Sequence, residues 1–415
     1  MRLRDANGLP RVVVTGSGSL SCLGHGNVAF FDALRAGRGG LRPMAGFAAL
    51  GLRARVGGPV DLTGMPEAPR KLRRFFAPPG LYAWHAANEA FAQAGVTPEH
   101  LHADDCGLVL GGGAALSEHE AGLASHRAKG IAKLSPFWVP RGMSSALSAS
   151  LAHAFDIGGT SLTLSSACTS ATHAIGHAME LIQLGRQQMV VTGGAEELHD
   201  STAMWFDAMG ALSPQHDPAL ASRPCDRDRD GFVLAAGAGV LVLESLEHAK
   251  TRGATVLAEL AGYGNCTDAA SMVGPGTDGI ARAMRQALDR AGTLPDYINT
   301  HACSTPQGDL AEWQAIRTVF GERGAAVPPL SSIKGLTGHA PGAAGALDAI
   351  AGLLMMQHDL LVAGRMVDTP DPDFVDAPLL NANRAQRIDS VLSNSFGFGG
   401  SCASLLFRRY TEDAA

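Results

Sequence analysis

The chain has 415 residues, of which 46% are apolar and 17% charged, with 51 glycines and a net charge of -6. It is long and apolar enough for a large buried core, which excludes a disordered tail protein and a coiled coil, and its charge gives no global signal for nucleic acid. The seven cysteines (22, 106, 168, 225, 266, 303 and 402) form no C-x-x-C pair, so neither a zinc site nor a disulfide framework is expected.

In chain order, Met1-Arg2-Leu3-Arg4-Asp5 has charge but no apolar run before the first strand-like segment, and the cysteine usage points to a reduced cytoplasm. The run Arg11-Val12-Val13-Val14-Thr15 predicts a first strand. Gly16-Ser17-Gly18 follows, but without the third glycine or a later acidic residue that a dinucleotide site requires. Arg70-Lys71-Leu72-Arg73-Arg74 concentrates four positive charges in an acidic chain, and Arg127, Lys129 and Lys133 form a second basic cluster. Helical spacing runs from Leu81 to Gly95, and Cys106 to Leu110 predicts a strand ending in glycines.

Next, Leu162-Thr163-Leu164 ends in Ser165-Ser166-Ala167-Cys168 and opens a helix. Its apolar positions are Ala171, Ala174, Ile175, Ala178, Met179 and Ile182, a core-facing stripe, with Gly185 as its stop. Cys168 is therefore expected in the first helical turn, where the helix dipole lowers a thiol pKa. Met189 to Thr192 predicts another strand, and Phe232 to Leu243 is too short and Gly-interrupted to span a bilayer. A helix is predicted over Ala283 to Ala291, and the strand Asp296 to Thr300 ends in His301-Ala302-Cys303.

The remaining segments carry His339, in Ser331-Ser332-Ile333-Lys334-Gly335-Leu336-Thr337-Gly338-His339, and Asn394-Ser395-Phe396-Gly397-Phe398-Gly399-Gly400-Ser401. The glycines around Phe398 suit a turn whose N–H groups face an oxyanion, although on that segment alone a plain hairpin turn is the better reading. A cysteine with two histidines at strand-to-helix junctions suits a nucleophile with two neutral hydrogen-bond donors. His126, His216, His248 and His358 read as structural or surface residues. The alternation of strands and helices predicts an α/β fold with a buried sheet. The strands before Cys168 and His301 suggest an internal duplication that sets both residues on neighbouring strands.

Four motifs together resemble the β-ketoacyl-acyl carrier protein synthases, condensing enzymes of the thiolase superfamily. They are Ser-Ser-Ala-Cys at 165–168, Ser-Thr-Pro-x-Gly-Asp after His301, Lys-Gly-x-Thr-Gly-His at 334–339 and Asn-Ser-Phe-Gly-Phe-Gly-Gly at 394–400. Glu196-Glu197-Leu198 and the segment from Phe206 to Ser213 look more like type I than type II enzymes.

The resemblance implies a thiolase-like fold: two duplicated βαβαβαββ halves, residues 10–252 and 253–410, in a layered α-β-α-β-α body. It implies decarboxylative condensation of an acyl-enzyme with malonyl-acyl carrier protein in fatty acid elongation, with a specialised polyene or polyketide pathway as the alternative. Cys168 would carry the acyl group, His301 and His339 would stabilise the malonyl enolate, and the N–H groups of Cys168 and Phe398 would hold the oxyanion. Lys334 and Glu312 would be a supporting charged pair, Phe398 with Gly399 the gate turn, and Thr305 a pantetheine contact.

Cys303 stands where the family has a pantetheine-binding threonine, a weaker donor at that position. Gly111 to Ala115, Phe206 and Phe398 would line the acyl tunnel. The resemblance also implies a homodimer and no metal or other cofactor, with substrates carried on the phosphopantetheine of acyl carrier protein. Arg70, Lys71, Arg74 and Lys129 would dock that carrier. Two rival readings fit less well. A degradative thiolase would use a second cysteine such as Cys402, but His339 fills the matching histidine position. A catalytically inactive partner chain would lack Cys168.

Overall fold

A computed structural model describes residues 2–412 apart from positions 275, 366 and 370. Ten strands form the main path of one sheet: β1 (Val12–Ser21), β2 (Cys106–Gly111), β3 (Ser161–Leu164), β4 (Met189–Glu196), β5 (Gly237–Ser245), β6 (Ala258–Thr267), β7 (Tyr297–Asn299), β8 (Leu330–Ser331), β9 (Ser390–Gly397) and β10 (Ser401–Arg408). Their spatial order is β8-β7-β9-β10-β6-β1-β5-β4-β2-β3.

The order contains its own repeat. From the centre outward each half runs first, fifth, fourth, second, third in its own chain order. Strand polarity repeats too: β2 is parallel to β3 and β4 as β7 is to β8 and β9, and the remaining pairs within each half are antiparallel. Val12–Val14 pair antiparallel with Ala258–Leu260 and join the halves. The duplication therefore exists, but with a different correspondence from the one expected. β3, which leads to Cys168, matches β8, which leads to His339, whereas His301 follows β7, the counterpart of β2. Nor are the strands before Cys168 and His301 neighbours. They lie towards opposite ends of the sheet path, and its folding around the central helices brings their ends together.

The helices that matter are α1 (Pro78–Ala94), α2 (Ser170–Gln183), α3 (Asp200–Ala208), α4 (Thr277–Ala291), α5 (Pro306–Glu322) and α6 (Ala344–His358). α2 and α6 pack on each other as a middle layer touching both half-sheets, while α1 covers β1 and β5 and α4 covers β6 and β10. The stripe Ala171, Ala174, Ile175, Ala178, Met179 and Ile182 is buried throughout, as its spacing predicts. Gly16 and Gly18 serve this packing and not a nucleotide: a Cβ on either would lie 2.2 Å from Ala90 O or 2.0 Å from Ala86 O of α1. No described helix is long and apolar enough to cross a membrane.

Candidate active site

Cys168 lies two residues ahead of α2, whose N-cap is Thr169, and not in the first helical turn. The turn before it is tight. Ala167 has φ 53°, a left-handed backbone that an alanine adopts only when its surroundings hold it there. The second site loop repeats the device, with Ser304 at φ 79° just after His301-Ala302-Cys303. There one carboxylate does the holding: Asp309 of α5 accepts the N–H groups of Cys303, Ser304, Thr305 and, from another loop, Cys225, at 3.0–3.2 Å.

Cys168 Sγ and one ring nitrogen each of His301 and His339 lie within 4.8 Å of one another. The two imidazoles meet edge-on, with ring centres 5.3 Å apart at 84°. His339 is fixed by its backbone, which exchanges hydrogen bonds with Val233 O (2.8 Å) and Ala235 N (2.9 Å). Glu312 of α5 accepts the N–H groups of His301 (3.0 Å) and Ala302 (2.9 Å). Both ring nitrogens of His339 and Nδ1 of His301 are buried with no partner among the described residues. Such groups are costly unless a ligand satisfies them.

Burial and the nearby Lys334 ammonium hold His339 at about 3, and the same causes, with His339 itself, hold His301 well below the usual range. Both rings are therefore neutral donors at pH 7. The Cys168 thiol departs from the helix-dipole expectation. Enclosure, with the Glu196 carboxylate next in weight, pushes it up to about 12, against a smaller opposing effect from Lys334.

Lys334 and Glu312 do not form the expected pair. Lys334 Nζ donates to Asp348 Oδ2 at 2.6 Å, while Glu312 accepts from Asn394 Nδ2 at 3.0 Å and from the His301 loop. Burial raises Glu312 to about 7. Asp348 was not singled out from the sequence, although it is the only acidic residue in the otherwise apolar α6, which is a readable signal. Glu196, whose Oε2 accepts Gly342 N at 2.9 Å in the loop after His339, was likewise read only as a subtype mark.

The glycine-rich turn forms the remaining wall. β9 and β10 are paired strands, so the hairpin reading of this segment holds, and Phe398–Gly400 is the connection between them, with Gly399 at φ 76°. A Cβ at Gly397 would lie 3.0 Å from Cys168 N, so this turn is set directly against the cysteine loop. Among the described residues, the backbone N–H groups of Cys168 and Phe398 reach no protein acceptor. Phe206 of α3 contacts Phe398 (ring centres 5.8 Å apart) and Phe232 (5.1 Å), which in turn meets His339 (5.5 Å). Cys303 is buried among these groups, with Sγ 3.8 Å from Thr305 Oγ1. Arg70, Lys71, Arg74 and Lys129 are all exposed. Arg74 stacks over Phe75 and Phe137 at 5.3 and 5.2 Å.

Comparison with known proteins bears on the whole chain. The family profile described as "Beta-ketoacyl synthase, N-terminal domain" matches residues 10–249, and that described as "Beta-ketoacyl synthase, C-terminal domain" matches 257–367. The chain is 40% identical over 405 residues to a 3-oxoacyl-[acyl-carrier-protein] synthase 1 of Haemophilus influenzae, covering 96% of this chain and 99% of that one. Among solved structures, a beta-ketoacyl synthase from Burkholderia phymatum has 35% identity and a TM-score of 0.89, with 97% and 100% coverage. A type II polyketide acyl-carrier protein in complex with its ketosynthase matches at 29% identity and a TM-score of 0.87, also with 97% and 100% coverage.

Proposed function

The chain belongs to the beta-ketoacyl synthase family, and from that premise we propose that it is a 3-oxoacyl-acyl carrier protein synthase of fatty acid elongation. The observation that carries the chemistry is the convergence of one thiol and two neutral imidazoles within 4.8 Å. Identity of 40% to a fatty acid enzyme, against 32% to a ketosynthase/chain length factor, favours this reading over a polyene or polyketide pathway.

Cys168 attacks the thioester of an acyl carrier protein, keeps the acyl group as its own thioester and releases the carrier thiol. Malonyl-acyl carrier protein then loses CO2. The electron pair left behind is stabilised as an enolate by N–H donors of His301 and His339, whose otherwise unpartnered nitrogens suit that task. The carbanion attacks the acyl carbonyl, the N–H groups of Cys168 and Phe398 hold the oxyanion, and collapse expels the Cys168 thiolate. Burial and then Lys334, paired with Asp348, keep both imidazoles neutral, and Glu312 holds the His301 loop. Phe398 with Gly399 and Phe206 shape the acyl path, and Thr305 and Cys303 face the pantetheine arm. These side chains supply nucleophile and donors, so the scheme calls for no metal or other cofactor.

The basic side chains Arg70, Lys71, Arg74 and Lys129 suit an acidic carrier. A homodimer is supported by β3, an edge strand with Leu162 39% exposed, and by the segment 116–142, which has no buried residue yet exposes Leu123, Ile131 and Val139 at 49–74%. Seven free cysteines agree with the cytoplasm.

The test is incubation with acyl- and malonyl-acyl carrier protein. It should yield a 3-oxoacyl product two carbons longer, with the acyl group found on Cys168 by peptide mass spectrometry. Absence of both overturns the proposal.

A further inference from the structure

The turn that presents Cys168 is held by a histidine outside the catalytic cluster. His173 stands on α2, one turn beyond Thr169, and its Nδ1 lies 2.7 Å from Ser166 Oγ. The neutral tautomer that carries its proton on Nε2 leaves Nδ1 to accept from the Ser166 hydroxyl. Burial lowers the pKa of His173, which keeps the ring neutral and that direction intact.

Ser166 is also tied at its backbone. Its carbonyl accepts Thr169 Oγ1 at 2.6 Å, and its N–H donates to Ser170 Oγ at 2.9 Å. Thr169 Oγ1 in turn meets Ser401 Oγ of β10 at 2.7 Å. These bonds surround Ala167, the strained residue directly before Cys168. A non-glycine residue in that region persists only where neighbours over-determine it. They also connect the cysteine turn to the strand that follows Phe398, the two segments whose N–H groups would share one oxyanion.

Resting on the reading of Cys168 as nucleophile, we infer that His173 is a positioning residue for the acyl-transfer half of the reaction: through Ser166 it fixes the turn that aims the Cys168 thiol and N–H. It touches no substrate. Its effect falls on acyl transfer and not on decarboxylation, because His301 and His339 are held by separate loops.

The test compares His173→Phe, His173→Asn and Ser166→Ala in the full-length enzyme. Single-turnover acylation of Cys168 and CO2 release from malonyl-acyl carrier protein are followed separately, with Tm as a control. His173→Phe should slow acylation by about 10–100-fold, the scale of a small misplacement of a reacting group. CO2 release and KM for the carrier should stay near wild type. His173→Asn, whose Oδ1 can still accept from Ser166, should recover most of the acylation rate. Ser166→Ala should reproduce the loss, and Ser166→Ala with His173→Phe should add little further. Acylation by His173→Phe at the wild-type rate, or an equal loss in both half-reactions alongside a lowered Tm, overturns the inference. Failure of the wild-type enzyme to acylate at Cys168 overturns instead the function on which it rests.

Discussion

Lys334 Nζ lies 2.6 Å from Asp348 Oδ2, and both side chains are buried beside two imidazoles that must stay neutral. The ammonium disfavours protonation of His301 and His339, and the carboxylate on α6 makes its burial tolerable. Asp348→Asn leaves that cation without a counter-charge. The expected loss is about 3–5 kcal/mol of stability, seen as a lower urea midpoint at unchanged slope. Glu312→Gln should cost less, because its carbonyl oxygen can still accept from the His301 loop. Equal losses in the two variants would show that Glu312 supports the buried cation as much as Asp348 does.

The Glu196 carboxylate acts on the Cys168 thiol. Its carboxyl group titrates at about 7 and, when ionised, helps hold the Cys168 thiol at about 12. Removing a nearby anion favours thiolate, so Glu196→Gln should lower the thiol pKa. Alkylation of Cys168 by iodoacetamide at pH 8 should then quicken, by about tenfold for each unit the pKa falls. Below pH 7 wild-type Glu196 is protonated, and the two rates should converge. Identical pH profiles for the two proteins would mean that Glu196 acts only through Gly342.

The cluster was legible from sequence because each of its members carries a local signature. Cys168 opens a striped helix, His301 ends a strand, His339 precedes a run of small residues, and Phe398 sits among glycines. The pairing of the halves was not legible. Local layout matched the strand before Cys168 with the strand before His301, and only the sheet order shows that β3 corresponds to β8. Charge partners failed for a similar reason. Glu312 and Asp348 are each a buried carboxylate on an apolar helix face, and only the packing of α6 against the sheet decides which one meets Lys334. The thiol pKa is not legible either, because the helix terminus shows in the sequence whereas the enclosure that raises it does not.

Arg70 and Lys71 are exposed on a short helix and their side chains form no hydrogen bond or ion pair among the described residues, whereas Arg74 stacks on Phe75 and Phe137. Reversing the first two charges therefore probes the surface without disturbing packing. Arg70→Glu with Lys71→Glu should raise KM for acyl carrier protein several-fold and leave kcat on short pantetheine thioesters unchanged. The defect should shrink as salt screens the wild-type attraction. An equal loss on both substrate types would remove this patch from carrier docking.

His339 makes stability depend on pH with a definite sign. Its folded pKa is about 3, while the unfolded chain titrates near the ordinary value of about 6.5. Between those values the unfolded state binds the extra proton, so the contribution is complete above about pH 6.5 and is lost as pH falls towards 3. At pH 5 the loss amounts to about 2 kcal/mol, taking 1.36 kcal/mol per unit over 1.5 units. His339→Asn removes the titrating group. Its stability deficit relative to wild type should narrow by about that amount between pH 7.5 and pH 5 in urea titrations. A constant deficit across that range would mean that His339 titrates near the ordinary value in the folded protein, so that burial and Lys334 do not depress it.

The two half-reactions separate the cysteine from the histidines. Cys168→Ala removes the only proposed acyl acceptor, so transfer of a radiolabelled acyl group to the protein should vanish. CO2 release from malonyl-acyl carrier protein should persist at least in part, since that step needs donors at the thioester carbonyl and no thiol. His301→Ala and His339→Ala should show the opposite pattern. Acylation of Cys168 should survive, because neither imidazole supplies the oxyanion N–H groups. Decarboxylation should fall by about 10²–10³, the usual loss for one oxyanion donor. The two imidazoles are mutually close, with ring centres 5.3 Å apart, so removing both should cost less than the product of the single losses. Labelled acyl-enzyme in Cys168→Ala, or wild-type CO2 release in both histidine variants, would invert these assignments.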